Sequence, residues 1–329
     1  MFNERKSIYE EIEKTRKTKV IAYATSNRPG METQVASDVI DIMLEHLDGF
    51  EKTNKISLVL YTLGGNTLAA WNIINLLREF CKELEIIVPN KCRSAGTLMC
   101  LGANNIIMTK QATLGPIDPS LVSPLNPNIP NTNPPQKVPV SVESVKGYFD
   151  LLKEEVGVSE ANVLGEAYKK LVDYINPLVL GDIYRSKCQI KMLARKMMAM
   201  HKLEDVYVDK IIQFLCTDSG SHDYTISRTE AKSLGLRITS PDDALYALLK
   251  KWYNNIVKEM LLNEKLNPEA ELNGNNSVEF NYSRGLIESV NKQHKFVTEG
   301  SYIVTNIPVS QQKQLNTIIK YEGWKEYVN

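Results

Sequence analysis

The sequence has no excess of charge of either sign and contains no long apolar run. Lys and Arg together number 39, as do Asp and Glu, so the chain has no net positive field that would gather nucleic acid. We therefore expect no nucleic-acid partner. Apolar runs such as IIV at 86–88 and LVL at 58–60 are far shorter than the ~20 residues of a membrane-spanning helix. These features predict a soluble protein.

Paired cysteines and an amino-terminal apolar stretch are also missing. The five cysteines are an odd number and include no C-x-x-C pair, which favours reduced thiols over a disulfide framework or a zinc site. Residues 1–19 alternate charges where a secretory signal needs a continuous apolar stretch, so we expect a cytoplasmic protein. No phosphate-binding P-loop, H-E-x-x-H pair or EF-hand loop occurs. The sequence therefore predicts no cofactor, no metal site and no nucleotide hydrolysis.

The chain does contain a repeated alternation of strand and helix signals. The nearly unbroken apolar run at 56–63 predicts a strand covered on both faces, and paired glycines follow it at 64–65. An amphipathic helix is predicted over about 67–82, with further buried strands at 84–89 and 104–109. Repeats of this kind predict an α/β fold with a mainly parallel sheet and helices packed on it.

The remainder of the chain divides by composition. Proline recurs too often over 115–140 for a helix or a central strand, which predicts a long loop. Residues 141–216 are mostly helical by pattern and are interpreted as a helical insertion. We therefore expect a hydrolase core over 1–262 that includes both segments. A small β-containing extension is expected over 263–329.

Two turns of small residues carry the candidate chemistry. Acyl transfer needs a nucleophile, a base that takes its proton, and backbone amides directed at the oxyanion. Ser94 lies at a predicted strand-to-helix junction, while Gly64 and Gly65 end the preceding strand. Both junctions are expected at the carboxyl edge of the parallel sheet, and glycines can turn their N–H groups toward the serine. The same residues also suit a helix cap and a simple turn, so residue type alone does not decide.

Several linked motifs resemble a known family. They are PGMETQ at 29–34, YTLGG at 61–65, LLREFCKEL at 76–84, SAGT at 94–97, LGPIDPSL at 114–121 and the segment at 221–236. The turns and the serine look like the active-site framework of the Clp proteases and signal peptide peptidase A. Together the motifs resemble most closely the serine dehydrogenase proteinase family of the same superfamily. The resemblance runs from about residue 5 to 305 and implies a Clp protease/crotonase-like core.

This resemblance also implies roles for individual residues. Ser94 would be the nucleophile, and Gly64, Gly65 and Ala95 would form the oxyanion hole. Clp proteases carry a histidine just after the third strand, but the matching stretch at 112–119 contains none. The Clp pattern of an aspartate followed by x-x-x-Ser-x-x-Glu-Ala does recur, and it aligns Asp223 with the acid of the triad. The base is therefore less well indicated than the nucleophile.

Two interpretations of the base stay open. His222 is preferred because it is the one histidine in a loop matched to a catalytic loop. However, neighbours on an extended loop point opposite ways, which disfavours an ordinary pair between His222 and Asp223. The alternative is a lysine base as in signal peptide peptidases, with Lys137 and Lys146 in the expected interval. Asp118 could orient the base or cap a turn.

The function predicted from these residues is peptide-bond hydrolysis by a serine endopeptidase that does not itself hydrolyse ATP. The expected partner is a peptide or protein substrate, and the resemblance implies a homo-oligomer. Association with a membrane surface stays open. One alternative is a crotonase-like enzyme that acts on an acyl thioester. The other is a non-catalytic scaffold of the same fold, which the missing Clp-type histidine favours.

Overall fold

A computed structural model describes residues 1–50, 53–117, 120–121, 123–132, 134–199, 203–221, 223–306 and 313–328. By its internal contacts the chain forms two compact units. The first unit comprises residues 1–114 and 227–329, and the second comprises residues 115–226. The candidate nucleophile and its glycine turn belong to the first unit.

Eight strands of the first unit form one sheet. In sheet order they are β10 (Ile238–Thr239), β5 (Asn105–Met108), β3 (Glu83–Val88), β2 (Lys55–Tyr61), β1 (Lys19–Thr25), β11 (Ser277–Glu288), β12 (Gln293–Asn306) and β13 (Lys313–Glu326). Neighbouring strands from β10 to β1 are parallel, whereas β1 to β13 pair antiparallel. The prediction of an α/β fold with a mainly parallel sheet at its core is therefore confirmed.

Helices cover the central strands because these strands have apolar side chains on both faces. The helices of the first unit are α1 (Phe2–Arg16), α2 (Ile40–Asp48), α3 (Thr67–Phe80), α4 (Ala95–Leu101), α9 (Arg228–Ser233), α10 (Asp243–Glu259) and α11 (Pro268–Leu272). Tyr9 of α1 and Trp252 of α10 belong to a buried cluster with Val59 of β2. Leu58 and Leu60 have the opposite orientation and are also buried, as expected for a sheet covered on both faces.

The last three strands continue the central sheet. The sequence predicts a small β-containing extension over 263–329, and the β structure is present there. However, β11 pairs with β1 through residues such as Glu288 opposite Ala22, so these strands share the sheet of the parallel core. A domain boundary near residue 262 stays a prediction.

The second unit is mostly helical, as the sequence predicts for the insertion. It contains α5 (Val142–Asp150), α6 (Ala161–Tyr174), α7 (Pro177–Met198) and α8 (Asp205–Gln213), with wider π-helical turns at Leu151–Glu155 and Phe214–Asp218. Two short strands, β7 (Ser120–Leu121) and β8 (Val140–Ser141), pair with each other. Across the described ranges, no helix is both long enough and apolar enough to span a membrane.

Candidate active site

The chain reaches Ser94 through a short strand that lies outside the eight-stranded sheet. This strand, β4 (Lys91–Cys92), pairs with β6 (Thr113–Leu114) and follows β3 directly. The N–H of Thr62, just after β2, donates to the Lys91 carbonyl at 3.0 Å. The N–H of Arg93 returns a 3.0 Å bond to the Thr62 carbonyl. The end of β2 and the approach to Ser94 are thus held together by a pair of backbone hydrogen bonds.

Ser94 has a backbone conformation that few residues other than glycine adopt. Its φ is 49° and its ψ is −116°, immediately before the first residue of α4. A non-glycine residue held in such a region costs about 1–3 kcal/mol, and strained residues of this kind cluster at active sites. A serine at this position is commonly a helix cap, but the Ser94 hydroxyl makes no capping hydrogen bond. The sharp turn therefore leaves the hydroxyl available for chemistry.

The paired glycines lie directly against Ser94. Gly64 has a φ of +111°, and a Cβ placed on it would lie 2.7 Å from the Cβ of Ser94 and 2.9 Å from the carbonyl oxygen of Arg93. Both distances are shorter than real Cβ contacts. Only glycine can therefore bring this turn against the serine. The two junctions that the sequence analysis expects to be neighbours are neighbours in the structure.

Two backbone amides of this site have no acceptor within the described residues, namely those of Gly65 and Ala95. The Gly64 carbonyl accepts from the N–H of Val35 at 2.8 Å, and the N–H of Asn66 donates to the Val35 carbonyl at 2.8 Å. Val35 and Gly65 thus form a β-bridge whose hydrogen bonds use the neighbours of Gly65, and the Gly65 N–H takes no part in it. Free amides next to a nucleophile are what an oxyanion hole requires.

The candidate bases are described in part, and those that are described lie in the second unit. His222 and Asp118 lie outside the described residues. Asp223 is exposed, and its backbone N–H donates to the Ser221 hydroxyl at 3.2 Å. Lys137 is half-buried, with its Nζ donating to the Asn126 carbonyl at 3.0 Å. The assignment of the base stays a prediction.

Lys146 has the electrostatic surroundings opposite to those of a lysine base. Its side chain is exposed and its Nζ lies 2.6 Å from the Asp150 carboxylate, one helical turn away on α5. The hydrogen bond to Asp150 raises the pKa of Lys146. A lysine acts as a base near neutral pH only when its pKa is lowered. The ion pair thus favours the protonated form of Lys146, and its assignment as a base stays a prediction.

Two other histidines are accounted for by a different structural role. His46 Nδ1 lies 2.9 Å from the Ser289 hydroxyl, and its Nε2 lies 3.0 Å from His294 Nδ1. All three residues are buried. Throughout the described part of the chain there is no group of three or more His, Cys, Asp or Glu residues that could hold a metal ion.

Sequence reasoning did not identify two parts of this site. The strained backbone of Ser94 has no signature in residue type, because it depends on the close approach of the glycine turn. Val35 also has no signal of its own, since its role is a backbone bridge to a segment 30 residues later. Only its position after the 29–34 motif could have drawn attention to it.

Comparison with known proteins gives one family match, two curated relatives and several similar solved structures. The model of the ClpP-like SDH-type serine proteinases matches residues 1–137, which confirms the family resemblance there. Uncharacterized protein MJ0137 of Methanocaldococcus jannaschii is 28% identical over 204 residues, 60% of this chain and 59% of its own length. Uncharacterized protein MJ1495 of the same organism is 27% identical over 202 residues, 59% of this chain and 56% of its own length. The chain thus spans less than two thirds of either relative.

Solved structures with similarity to the chain include two proteases. ClpP1 from Listeria monocytogenes aligns with a TM-score of 0.38 and 15% identity, covering 71% of this chain and 98% of ClpP1. A mutant of the 1510-N membrane-bound stomatin-specific protease aligns with a TM-score of 0.38 and 19% identity. That alignment covers 66% of this chain and 79% of the protease.

Proposed function

We propose that this chain, whose residues 1–137 match the ClpP-like SDH-type serine proteinases, is a serine peptidase that cleaves peptide bonds through an acyl-enzyme on Ser94. One observation carries the proposal. The strained turn of Ser94 lies against a glycine turn that cannot accept a side chain, and two amides at this point have no acceptor within the described residues. Nucleophile and oxyanion donors are the parts that acyl transfer needs in one place.

In this mechanism the Ser94 hydroxyl attacks the substrate carbonyl as a base takes its proton. The negative charge that develops on the carbonyl oxygen is stabilised by the N–H groups of Gly65 and Ala95. Collapse of the tetrahedral intermediate expels the amine, which takes the proton from the base, and water then hydrolyses the acyl-enzyme. His222 is our preferred base with Asp223 as its acid, Lys137 is the main alternative, and Asp118 is a candidate for orienting the base.

The proposed substrate is an extended peptide or protein segment. The site contains no nucleotide-binding loop by sequence, so we propose that hydrolysis at Ser94 does not require ATP. We also propose that the protein works as a homo-oligomer, as the family resemblance implies, and that it acts in the cytoplasm.

Covalent labelling tests the proposed nucleophile. A fluorophosphonate probe should modify wild-type protein at a single peptide that contains Ser94, and Ser94→Ala should take no label. Ser289→Ala is the matched control, because Ser289 is hydrogen-bonded to His46 yet is only 2% exposed. It should be labelled like the wild type.

The same experiment separates the alternatives. A well-folded wild type that takes no label contradicts the peptidase proposal and leaves the crotonase-like and scaffold interpretations.

A second experiment identifies the base if the wild type is labelled. It measures the turnover of a fluorogenic peptide by His222→Ala, Lys137→Ala and Lys146→Ala. We expect Lys146→Ala to retain activity, because its ion pair with Asp150 favours the protonated form. Equal, measurable rates for all three variants would contradict each assignment.

A further inference from the structure

We propose that Thr62 is a positioning residue for the oxyanion hole, acting through the peptide that joins Gly64 and Gly65. This inference rests on the proposed peptidase function and names a residue that has no part in the sequence motif's implied chemistry. Thr62 is fully buried and follows β2 directly, two residues before Gly64. Thr62 contacts the glycine turn, the segment that leads into Ser94, and the helix α4 that follows it.

The hydroxyl of Thr62 holds the glycine turn. The N–H of Gly64 donates to Thr62 Oγ1 at 3.0 Å, and the hydroxyl of Thr25 donates to the same oxygen at 2.8 Å. With its own hydrogen, Thr62 donates to the Gly64 carbonyl at 3.4 Å. Thr25 is the last residue of β1 and is also buried. A chain of two threonine hydroxyls therefore ties the turn to two neighbouring strands of the rigid sheet.

Fixing the Gly64 carbonyl also fixes the Gly65 amide. The two groups belong to one planar trans peptide, in which the C=O and the N–H point in opposite directions. The Gly64 carbonyl is held by the N–H of Val35 at 2.8 Å and by the Thr62 hydroxyl. The Gly65 N–H must then point away from Val35. Without such support, paired glycines could rotate this peptide freely, since neither carries a Cβ.

The rest of Thr62 positions the nucleophile relative to that amide. Its backbone exchanges hydrogen bonds with Lys91 and Arg93, the residues that lead into Ser94. Its methyl group lies against α4, where a Cβ on Gly96 would lie 2.6 Å from Thr62 Cγ2. Both oxyanion donors and the serine are therefore located relative to one buried residue.

Two substitutions of Thr62 separate its hydroxyl from its shape. Thr62→Val keeps the branched shape and removes the hydroxyl, so the Gly64 amide loses its acceptor. Loss of an oxyanion donor lowers kcat by ~10²–10³-fold, and we expect a misdirected donor to lower kcat by about 10- to 100-fold. KM should change by less than about threefold, because the oxyanion forms only in the transition state. Thr62→Ser keeps the hydroxyl and should retain kcat within about threefold.

The measurements are peptide turnover and the second-order rate of fluorophosphonate labelling at Ser94. Labelled wild type with equally fast labelling of Thr62→Val overturns this inference alone. Wild type that takes no label overturns the peptidase function and this inference with it. Should Thr62→Val fail to fold, Thr25→Val decides, since it removes one hydrogen bond to Thr62 Oγ1 and leaves Thr62 itself intact. A several-fold lower kcat with unchanged KM supports the inference, and an unchanged kcat overturns it.

Discussion

The contact between Gly64 and Ser94 can be tested with a single methyl group. An alanine Cβ at position 64 would lie within 3 Å of both the Ser94 Cβ and the Arg93 carbonyl, on a backbone whose φ of +111° disfavours any side chain. We expect Gly64→Ala to push the two turns apart and to lower the rate of fluorophosphonate labelling at Ser94 by at least ~100-fold. The free energy of unfolding should fall by about 1–3 kcal/mol through overpacking.

The matched control for this substitution is Gly165→Ala. Gly165 lies within α6, and apart from its chain neighbours and the backbone of its own helix no described heavy atom lies within 4 Å of the position its Cβ would take. Alanine suits a helix interior better than glycine by roughly 0.5–1 kcal/mol, so this variant should be slightly more stable and fully labelled. A Gly64→Ala protein that is labelled as fast as the wild type would show that the close approach has no part in the chemistry.

At the scale of single residues, the sequence indicated which residues belong to the candidate site but not which backbone conformation they adopt. Gly64 and Gly65 were identifiable as a turn from their residue type, whereas Ser94 was identifiable only through the linked motifs that contain it. The positive φ of Ser94 was not identifiable, because serine takes many conformations and the strain comes from tertiary contacts. Thr62 was also missed, since a threonine at the end of a strand has many ordinary roles.

At the scale of elements, a buried histidine pair joins α2 to the hairpin formed by β11 and β12. If His294 Nε2 donates toward Glu45, 3.5 Å away, then His294 Nδ1 accepts from His46 Nε2, and His46 Nδ1 accepts from the Ser289 hydroxyl. Every ring nitrogen then has a suitable partner while both imidazoles are neutral. Lys292 disfavours a positive charge on both rings, whereas Glu45 and Glu326 favour one on His294 without outweighing its burial.

This arrangement predicts a loss of stability in mild acid. Burial lowers the pKa of His46 to about 3, and burial also lowers the pKa of His294. Unfolding exposes both rings, whose pKa then returns to ~6.5, so the unfolded state binds more protons below that pH. The free energy of unfolding should be constant above about pH 7 and fall below pH 6.5. His46 alone should account for about 2 kcal/mol by pH 5.

Urea unfolding at pH 7.5, 6.5, 5.5 and 5.0 measures this dependence, with His46→Gln as the comparison. The variant should be less stable at pH 7.5 and should show a flatter dependence between pH 6.5 and 5.0. The buried carboxylates Glu85 and Glu259 contribute little to the change in the free energy of unfolding between pH 6.5 and 5.0. Their pKa values are lowered from 4.5 in the fold, so their contribution is lost only below about pH 4.5. Parallel pH curves for wild type and variant would contradict the prediction.

At the scale of the whole molecule, local periodicity indicated the parallel core but not the place of the last strands. Strands and helices that alternate at short spacing carry their own signal, and β2, α3 and β3 lie close to their predicted positions. The pairing of β1 with β11 joins segments more than 250 residues apart. Nothing in residue type or spacing marks a partner at that distance, so 263–329 was interpreted as an extension.

A buried network of polar side chains joins β11 to helices α1 and α10 of the core. Arg5 of α1 is fully buried and donates to both carboxylate oxygens of Glu288 on β11, at 2.7 and 2.6 Å. Tyr9 donates to the same carboxylate at 2.6 Å, and Trp252 donates to the Tyr9 hydroxyl at 2.8 Å. Removing one partner of a buried ion pair typically costs 3–5 kcal/mol, and the loss of Glu288 would leave Arg5 with Glu259 as its remaining buried ion-pair partner.

We therefore expect a chain ending at Leu262 not to fold. It would lack β11, which exposes the edge of β1 and leaves Arg5 without Glu288, and it would lack Ser289 and His294, the partners of His46. A loss of about 3–5 kcal/mol at one buried ion pair is already a large part of the 5–15 kcal/mol total stability of an ordinary domain, and the apolar contacts of β11 are lost as well. Circular dichroism and limited proteolysis of the truncated chain measure the outcome.

A chain ending at Asn306 is the matched control, because it loses β13 and keeps β11, β12 and all the contacts just named. Since β13 is the outermost strand of the sheet and pairs with β12, this chain should fold and unfold cooperatively at a lower temperature than the full chain. A cooperative unfolding transition of the chain ending at Leu262, near the temperature of the full chain, would instead support a domain boundary at that residue. The three strands would then be an appendage to a core that is stable without them.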